Sequence, residues 1–209
     1  MRALAAAALL LTACGEAGER APDPAPAGAP AQAVADAPPP LDGENVWIVD
    51  GDASTILFTG RQNDKEFTGR FEDFSARIRL DPDDLSDALI EASVDLASVD
   101  AGAGDRNQSL PEAGWFDTDR FPQATFRADT VRAVGEGAYE ADGTLTIKGA
   151  SRPVTLPFTL DVQGDRAVAD GQVVIDRSDF GIGQGDFAGP EWVAFEVAVA
   201  VHLEADRRP

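Results

Sequence analysis

Hydrophobic and polar residues alternate along most of the chain after residue 45, a pattern that is typical of half-buried β-strands. Between Ile90 and Leu96, for example, apolar side chains alternate with Glu91, Ser93 and Asp95. Because successive side chains of a strand point to opposite faces, each such segment has one face to bury. The pattern predicts strands over residues 47–50, 55–58, 67–71, 74–80, 90–96, 124–131, 138–147, 152–162, 167–176 and 192–203.

The early strands contain a change of register. Phe67, Gly69 and Phe71 share one face, whereas Phe74 and Ile78 continue on positions of the opposite parity. A strand that keeps both sets on the same side needs one extra residue between them. The sequence therefore predicts a β-bulge near residues 72–73 that bends a long strand.

The predicted strands suggest a closed all-β domain. Asp142-Gly143, Lys148-Gly149 and Gly164-Asp165 supply turn residues between or within them. Only residues 104–115 are predicted to be irregular or briefly helical. Eight or so long antiparallel strands with apolar faces would expose aggregation-prone edges, and closure into a barrel removes those edges. We therefore expect an eight-stranded antiparallel β-barrel, wide enough for one small or elongated ligand, with a β-sandwich as the alternative.

The first residues have the features of an export signal. Met1-Arg2 is followed by an apolar run from Ala3 to Leu11, which is too short to cross a bilayer as a helix. Leu11-Thr12-Ala13-Cys14 resembles the bacterial lipobox, in which the cysteine becomes the acylated first residue of the mature protein. The sequence thus predicts a lipoprotein signal peptide over residues 1–13 and a lipid anchor on Cys14. The alternative is a plain secretory signal with an incidental cysteine.

Residues 14–45 are expected to form a tether between this anchor and the folded domain. The stretch from Ala21 to Pro40 is rich in Ala and Pro and lacks hydrophobic periodicity, so it favours an extended, unfolded segment. At ~3.1 Å per residue, roughly thirty such residues reach up to about 90 Å. The predicted domain then covers residues 46–204, followed by a short tail over 205–209. Gly15 follows the cysteine, and in Gram-negative lipoproteins this favours the outer membrane facing the periplasm.

Composition excludes several classes of function. The net charge of −20 and the pI near 4.2 disfavour nucleic-acid binding. One cysteine and one histidine provide too few ligands for a Cys/His zinc site, and His202 is the only candidate base for a triad. Strand parity directs Glu91, Asp95 and Glu140 outward, away from any interior site where two carboxylates could act together. We therefore expect no enzymatic activity, no metal site and no cofactor.

Four segments of the domain resemble the YceI-like family of lipid-binding β-barrels. They are Gly69 to Phe74, with the spacing G-x-F-x-x-F; Ser93 to Gly102, containing V-D-L-A-S-V-D; Asp105 to Phe126, ending in F-P-Q-A-T-F; and the set 143–149, 153–156 and 177–183. Their order and spacing make the resemblance specific, and it extends from about Val46 to Leu203. The sequence departs from the family pattern at Ala101, Asn107 and Trp115.

The resemblance implies a lipocalin-like β-barrel with an internal apolar tunnel, in which some members of the family hold a polyisoprenoid, such as a quinone or prenyl lipid. Aromatic residues are expected to point inward, Trp192 among them. The candidate ligand contacts are Trp47, Phe67, Gly69, Phe71, Phe74, Ile78, Phe126, Leu145, Phe158, Leu160, Phe180 and Phe195. Gly69 either accommodates a neighbouring aromatic ring or leaves space in the tunnel. Arg106, Arg177 and Asp179 are candidates for binding a lipid headgroup, and a salt bridge between Arg177 and Asp179 is the structural alternative.

The predicted function is that of a membrane-tethered periplasmic carrier or scavenger of an isoprenoid or other long-chain lipid. The alternative is a non-catalytic stress-response or interaction protein whose barrel is filled by its own side chains. The expected partners are the lipid and the membrane, with no nucleic acid, and a homodimer is left open.

Overall fold

The computed structural model describes residues 41–209, so the predicted signal peptide, Cys14 and most of the predicted tether lie outside the described residues. The described part contains eleven strands, one short α-helix and three 3-10 turns. The strands are β1 (Val46–Val49), β2 (Thr55–Gln62), β3 (Lys65–Phe71), β4 (Phe74–Asp81), β5 (Asp84–Asp95), β6 (Val99–Asp100), β7 (Gln123–Gly135), β8 (Ala138–Ile147), β9 (Ala150–Gln163), β10 (Arg166–Asp176) and β11 (Glu196–Arg207). Helix α1 (Gly104–Ser109) lies within the segment predicted to be irregular or briefly helical.

The strands form a closed antiparallel barrel, as the sequence predicted. Their order around the sheet is β1-β4-β5-β7-β8-β9-β10-β11, and β11 returns to pair with β1. Trp47 of β1 is opposite Ile78 of β4 on one side and Arg207 of β11 on the other. β2 also pairs with β11, and β3 pairs with β2. The successive strands β1 and β2 therefore form one long bent strand of the wall, β3 and β4 form another, and the wall has eight strands in total. After closure, every strand of the wall is paired with a neighbour on both sides over part of its length, whereas a β-sandwich would retain strands with one edge entirely open.

The predicted change of register occurs where the sequence placed it. β3 ends at Phe71 and β4 begins at Phe74, with residues 72 and 73 outside both strands. Phe71 and Phe74 both line the interior despite their different parity. The extra residue therefore bends the strand and keeps both aromatic side chains on the buried face.

The two ends of the barrel differ in construction. At the hairpin end, tight turns at 82–83, 136–137 and 164–165 join the strands, and the described chain enters β1. At the capped end, two long connections, residues 96–122 and 177–195, lie between strands. Both connections contribute residues to the core cluster at this end, including Leu110 and Ile182. The two connections therefore cover this end of the barrel and bury apolar side chains in its core.

The two long connections, which we call the capping connections, are joined to each other by hydrogen bonds across the capped end. The Gly114 carbonyl accepts from the Gly183 amide at 2.9 Å and from the Gln184 amide at 2.8 Å. The Lys148 ammonium donates to the carbonyls of Ala113 (2.7 Å) and Gly181 (3.2 Å). Partial burial lowers the pKa of Lys148, and the nearby Asp117 carboxylate opposes this effect.

The last strand differs from its predicted limits. β11 begins at Glu196 and continues to Arg207, whereas the sequence predicted a strand over 192–203 and a domain ending at 204. Ala205, in the segment predicted to be a tail, is buried with only 7% exposure. Trp192 lies before the strand in the capping connection and is 56% exposed, so the prediction that it points inward is wrong. Period 2 alone does not distinguish a strand from an extended loop that leads into one.

Gly69 lies beneath an aromatic ring. A Cβ atom at this position would lie 2.3 Å from the Phe58 ring and 2.8 Å from the Asp100 carbonyl oxygen. Of the two roles considered for this glycine, accommodation of a neighbouring aromatic ring is therefore the observed one.

We expect Gly69→Ala to lower the free energy of unfolding by about 2 kcal/mol, because overpacking displaces the Phe58 ring or the backbone of β6. Gly51→Ala is the matched control, since a Cβ there meets no atom within 4 Å. Urea unfolding of both variants measures the difference. An equal effect of the two substitutions would show that the Gly69 site has room to relax.

The outer face of the barrel carries pairs of charged residues on adjacent strands. The Glu91 carboxylate contacts the guanidinium groups of Arg77 and Arg127. On β11, His202 points outward, since its neighbours Val201 and Leu203 line the interior. Its Nδ1 lies 2.7 Å from Asp170 Oδ1, and its Nε2 lies 3.5 Å from Glu204 Oε1. The hydrogen bond to Asp170 raises the pKa of His202 above its ordinary value of 6.5, against an opposing effect of partial desolvation.

We expect Asp170→Asn to lower the pKa of His202 toward 6.5. An NMR titration measures this directly, because the chain contains one histidine. A folded-state pKa above the unfolded value means that protonated His202 stabilises the fold fully below pH 6.5. This contribution is lost as the pH rises through the raised pKa. Glu196→Gln, roughly 20 Å away along the same strand, is the control and should leave the titration unchanged.

Candidate functional site

The barrel contains an apolar cavity of about 220 Å³. Its wall is formed by inward side chains of most strands and by residues of both capping connections. Phe58 and Phe71 on the bent strands, Ile90 and Ala92 on β5, and Val199 on β11 are among them. No polar atom is exposed on this wall, although Thr125 and Arg177 belong to the lining residues. Such a wall favours hydrocarbon and offers no hydrogen bond to a buried polar group.

A second cavity of about 80 Å³ lies toward the hairpin end. It shares four wall residues with the larger cavity, namely Ile90, Leu156, Val201 and Leu203. The two cavities are therefore neighbours inside the barrel, separated by no more than the side chains that they share. In the wall of the smaller cavity, Trp47 is 4% exposed and donates from Nε1 to the Leu80 carbonyl at 2.9 Å.

Nine of the twelve predicted contact residues line these cavities. Phe67, Phe71, Phe74, Phe126 and Leu145 line the larger one. Trp47, Ile78, Phe158 and Leu160 line the smaller one. Strand periodicity was sufficient to find them because each belongs to an alternating segment whose inward parity is unambiguous.

Three predicted contacts do not line either cavity in the described chain. Gly69 is covered by the Phe58 ring, as noted above. Phe180 is 3% exposed and packs in the core cluster of the capped end. Phe195 is the last residue of the second capping connection, and the centre of its ring lies 5.2 Å from the Arg177 guanidinium carbon. Phe180 and Phe195 therefore pack at the capped end and do not line the cavities.

Arg177 has a structural role that the sequence did not indicate. It is 2% exposed, and its guanidinium group donates to six backbone carbonyls of the second capping connection at distances of 2.7 to 3.4 Å. The acceptors are Ala194, Ile182, Gly183, Phe187, Gly189 and Val193. A Cβ at position 183 would lie 2.2 Å from Arg177 Nη1, so only glycine permits this approach. Burial lowers the pKa of Arg177, and Asp176 partly offsets this effect.

The three predicted headgroup residues are not brought together. In the described chain, the Arg177 guanidinium group donates to backbone carbonyls and not to Asp179. The Asp179 carboxylate instead lies 3.9 Å from Arg152 Nε. Arg106 donates to the Ala101 carbonyl at 3.0 Å, and its guanidinium carbon lies 4.5 Å from the centre of the Phe67 ring. The predicted Arg177–Asp179 salt bridge is therefore wrong. The side chains of Arg177 and Asp179 are two positions apart and would share a face of a strand, but they point in different directions because both lie in a 3-10 turn, Arg177–Phe180.

Sequence reasoning missed several residues of the cavity wall. The missed positions on strands are small or aliphatic and include Ile56, Ala76, Ala92, Val173, Ile175 and Val197. Their parity was visible in the alternating segments, but the selection favoured aromatic residues. Leu110, Trp115, Phe116 and Ile182 come from the capping connections, where no periodic signal exists, and Val193 lies in the extended loop before β11.

Within residues 41–209, no group of three or more His, Cys, Asp or Glu side chains is arranged to hold a metal ion. Over the same residues, no helix has the length and apolar character needed to cross a membrane.

Curated relatives match part of the chain. A UPF0312 protein of Pseudomonas aeruginosa (strain LESB58) is 32% identical over 120 residues, covering 54% of this chain and 62% of that protein. A UPF0312 protein of Serratia proteamaculans (strain 568) is 33% identical over 120 residues with the same coverage of 54% and 62%. The matched region thus spans somewhat less than two thirds of these relatives.

Solved structures show the same barrel. Burkholderia cenocepacia BcnA superposes with a TM-score of 0.72 at 33% identity, covering 75% of this chain and 98% of that chain. A polyisoprenoid-binding domain from Saccharophagus degradans gives a TM-score of 0.62 at 15% identity, covering 79% and 100%. The Campylobacter jejuni YceI protein gives 0.60 at 22% identity, covering 68% and 85%. The last two identities are low enough that these likenesses support the fold alone.

The family model for the YceI-like domain matches residues 47–205, nearly the whole described barrel. The matched family is not a catalytic one, and the match leaves the presence or absence of an activity in this chain untouched. The aromatic strand segments, the buried arginine of the cap and the closed eight-stranded wall all fall inside the matched region. The chain therefore belongs to the YceI-like family.

Proposed function

We propose that the barrel binds the hydrocarbon chain of a long apolar lipid, of the polyisoprenoid class, as a membrane-tethered periplasmic carrier or scavenger. The observation that carries this proposal is the apolar cavity of about 220 Å³, next to a second apolar cavity that shares four of its wall residues. Each CH₂ group moved from water into such a space contributes about 0.8 kcal/mol.

The size and lining of the cavity favour a narrow chain over a bulky ring system. Small-molecule pockets are typically ~300–1,000 Å³, and the larger cavity is below this range. Among the described residues that line it, Arg177 is the one with a charge, and its guanidinium group already donates to six carbonyls and has no free donor to offer a headgroup. The headgroup of a bound lipid would therefore remain outside the apolar space. The acidic protein surface, in a chain of net charge −20, suits a neutral headgroup better than a phosphorylated one.

The similarity to structures of the same fold is consistent with this class of ligand. The Saccharophagus degradans neighbour is described as a polyisoprenoid-binding domain. That description concerns the neighbour, and it enters here as support for the ligand class only.

The proposed attachment to the membrane is based on the N-terminal sequence. An acylated Cys14 would anchor the chain, and the Ala/Pro-rich segment would let the barrel reach the membrane lipids and move away from them. Cys14→Ser tests this part separately, because the variant should leave the membrane fraction while the barrel keeps its fold.

Purification of the full chain from its native membranes, followed by organic extraction and lipid mass spectrometry, tests the ligand. We expect one isoprenoid lipid to co-purify in near-stoichiometric amount. A barrel that yields no lipid, or only the bulk phospholipids of the membrane, would contradict the proposal. That result would favour the alternative of an interaction protein whose barrel holds no ligand.

A further inference from the structure

At the hairpin end of the described barrel, residues 84–89 of β5 and 129–135 of β7 have no ladder to each other, and none of them lines either cavity. The barrel wall is also incomplete between β9 and β10. These two strands pair from Gln163–Arg166 to Phe158–Gly171, and the pairing ends there. In the described chain, residues 150–157 of β9 and 172–176 of β10 have no ladder to each other. On their other sides, both strands remain fully paired, β9 with β8 and β10 with β11. We define this unpaired stretch as the lateral slit.

Two prolines lie on the β9 edge of the slit. The Leu160 amide donates to the Gly137 carbonyl at 2.9 Å, so even-numbered residues of β9 direct their amides toward β8. The β8–β9 register is unbroken from Thr159 to Ala150. Because successive residues of a strand alternate in direction, positions 153 and 157 face β10. Both are proline, which has no amide hydrogen to donate, so two bonds needed to close the slit cannot form.

The slit leads directly to the cavity. Extending the observed register would place Val154 opposite Ile175 and Leu156 opposite Val173. All four of these inward residues line the larger cavity, and all are only half-buried. On the outer lip, Val174 is 60% exposed, one of few large apolar side chains in the described chain with such exposure. The slit therefore has apolar residues along its inner side and an exposed valine on its outer side.

We propose that the lateral slit is the portal through which the lipid chain enters and leaves the barrel. The proposal rests on the proposed function, and it deepens it by defining how the ligand is held. A chain that slides in sideways never has to draw its headgroup through the apolar interior. The capped end, in contrast, is closed by the hydrogen bonds of Arg177 and Gly114.

A reversible staple across the slit tests the portal. Thr155→Cys/Val174→Cys places two thiols at positions that the extended register sets opposite each other on the outer face. The control staple, Gly114→Cys/Gln184→Cys, joins the two capping connections where the Gln184 amide donates to the Gly114 carbonyl at 2.8 Å. Both are made in the full chain carrying Cys14→Ser, so that no third thiol is present. The probe is a short-chain isoprenoid quinone, and its binding is followed by the quenching of the tryptophan fluorescence of the protein, in which Trp115 and Trp47 line the two cavities.

We expect the oxidised slit staple to slow uptake and release of the quinone at least tenfold, with the Kd unchanged within twofold and both rates restored by a reductant. The oxidised cap staple should leave both rates unchanged. Unchanged rates with the slit staple, or slowing by the cap staple alone, would overturn the portal. Absence of equilibrium quenching in the unstapled protein would instead contradict the proposed function.

A second variant covers the case in which the slit staple does not oxidise. Val174→Cys labelled with a bulky maleimide places the obstacle on the outer lip. Ser75→Cys with the same label places it on an exposed position of β4, paired with Ser93 of β5 and separated from β9 by three strands. We expect only the label at position 174 to slow uptake. Equal rates for the two labelled proteins would overturn the portal.

Discussion

Replacement of Arg177 by methionine is expected to lower the free energy of unfolding by at least about 3 kcal/mol. The substitution removes the donor group for six carbonyls of residues 182–194, and several of these lie in the protein interior. Each buried carbonyl left without a partner costs roughly 1–3 kcal/mol. Urea unfolding monitored by far-UV circular dichroism measures the loss. Arg177→Lys should recover only part of it, because an ammonium has three donors and lacks the planar fork of a guanidinium.

Arg152→Met is the matched control. This arginine lies close by on β9, but it is 45% exposed and its nearest carboxylate, on Asp179, is 3.9 Å away. Exposed ion pairs of this kind contribute little, so we expect a change within about 0.5 kcal/mol. Equal effects of the two methionine substitutions would show that the Arg177 carbonyl contacts do not hold the cap.

Replacement of Ala92 by phenylalanine is expected to abolish most lipid binding while preserving the fold. Ala92 lies on β5 between Ala76 and Phe126, and all three line the larger cavity. A ring at this position occupies space that would otherwise receive about four CH₂ groups, worth roughly 3 kcal/mol. This corresponds to roughly a hundredfold increase in Kd. Quenching of tryptophan fluorescence by a short-chain isoprenoid quinone measures it.

Thr144→Phe adds the same ring to the outside of the barrel. Thr144 is exposed on β8, and we expect its substitution to leave the Kd within twofold of the wild-type value. Circular dichroism and the urea midpoint confirm that both variants are folded. If Ala92→Phe bound the quinone as tightly as Thr144→Phe, the ligand would lie elsewhere than in the larger cavity.

The sequence predicted the barrel because its strands have one buried face and clear turn signals. The shift between Phe71 and Phe74 was predicted from parity alone, and both residues line the cavity. In contrast, the role of Arg177 was not predictable in this way. Its partners are backbone carbonyls of residues up to seventeen positions later, as with Ala194, and backbone groups leave no residue-specific signal in a sequence.

The lateral slit shows a similar limit. Pro153 and Pro157 are visible in the sequence, but period 2 predicts only that their segment is a strand. Whether a proline removes a ladder bond depends on which neighbour its nitrogen faces, and this requires the register of β8 and β9. The anchor at Cys14 depends on sequence alone, since it lies outside the described residues.

Native mass spectrometry of the intact protein, released gently from its own membranes, tests the central claim most directly. We predict that the wild-type chain carries one additional mass corresponding to a single polyisoprenoid lipid. The Ala92→Phe variant should appear mainly at the mass of the chain without it, and Thr144→Phe should match the wild type. A wild-type protein found only at the unliganded mass, or an Ala92→Phe variant that retains the same lipid, would contradict binding in the barrel interior.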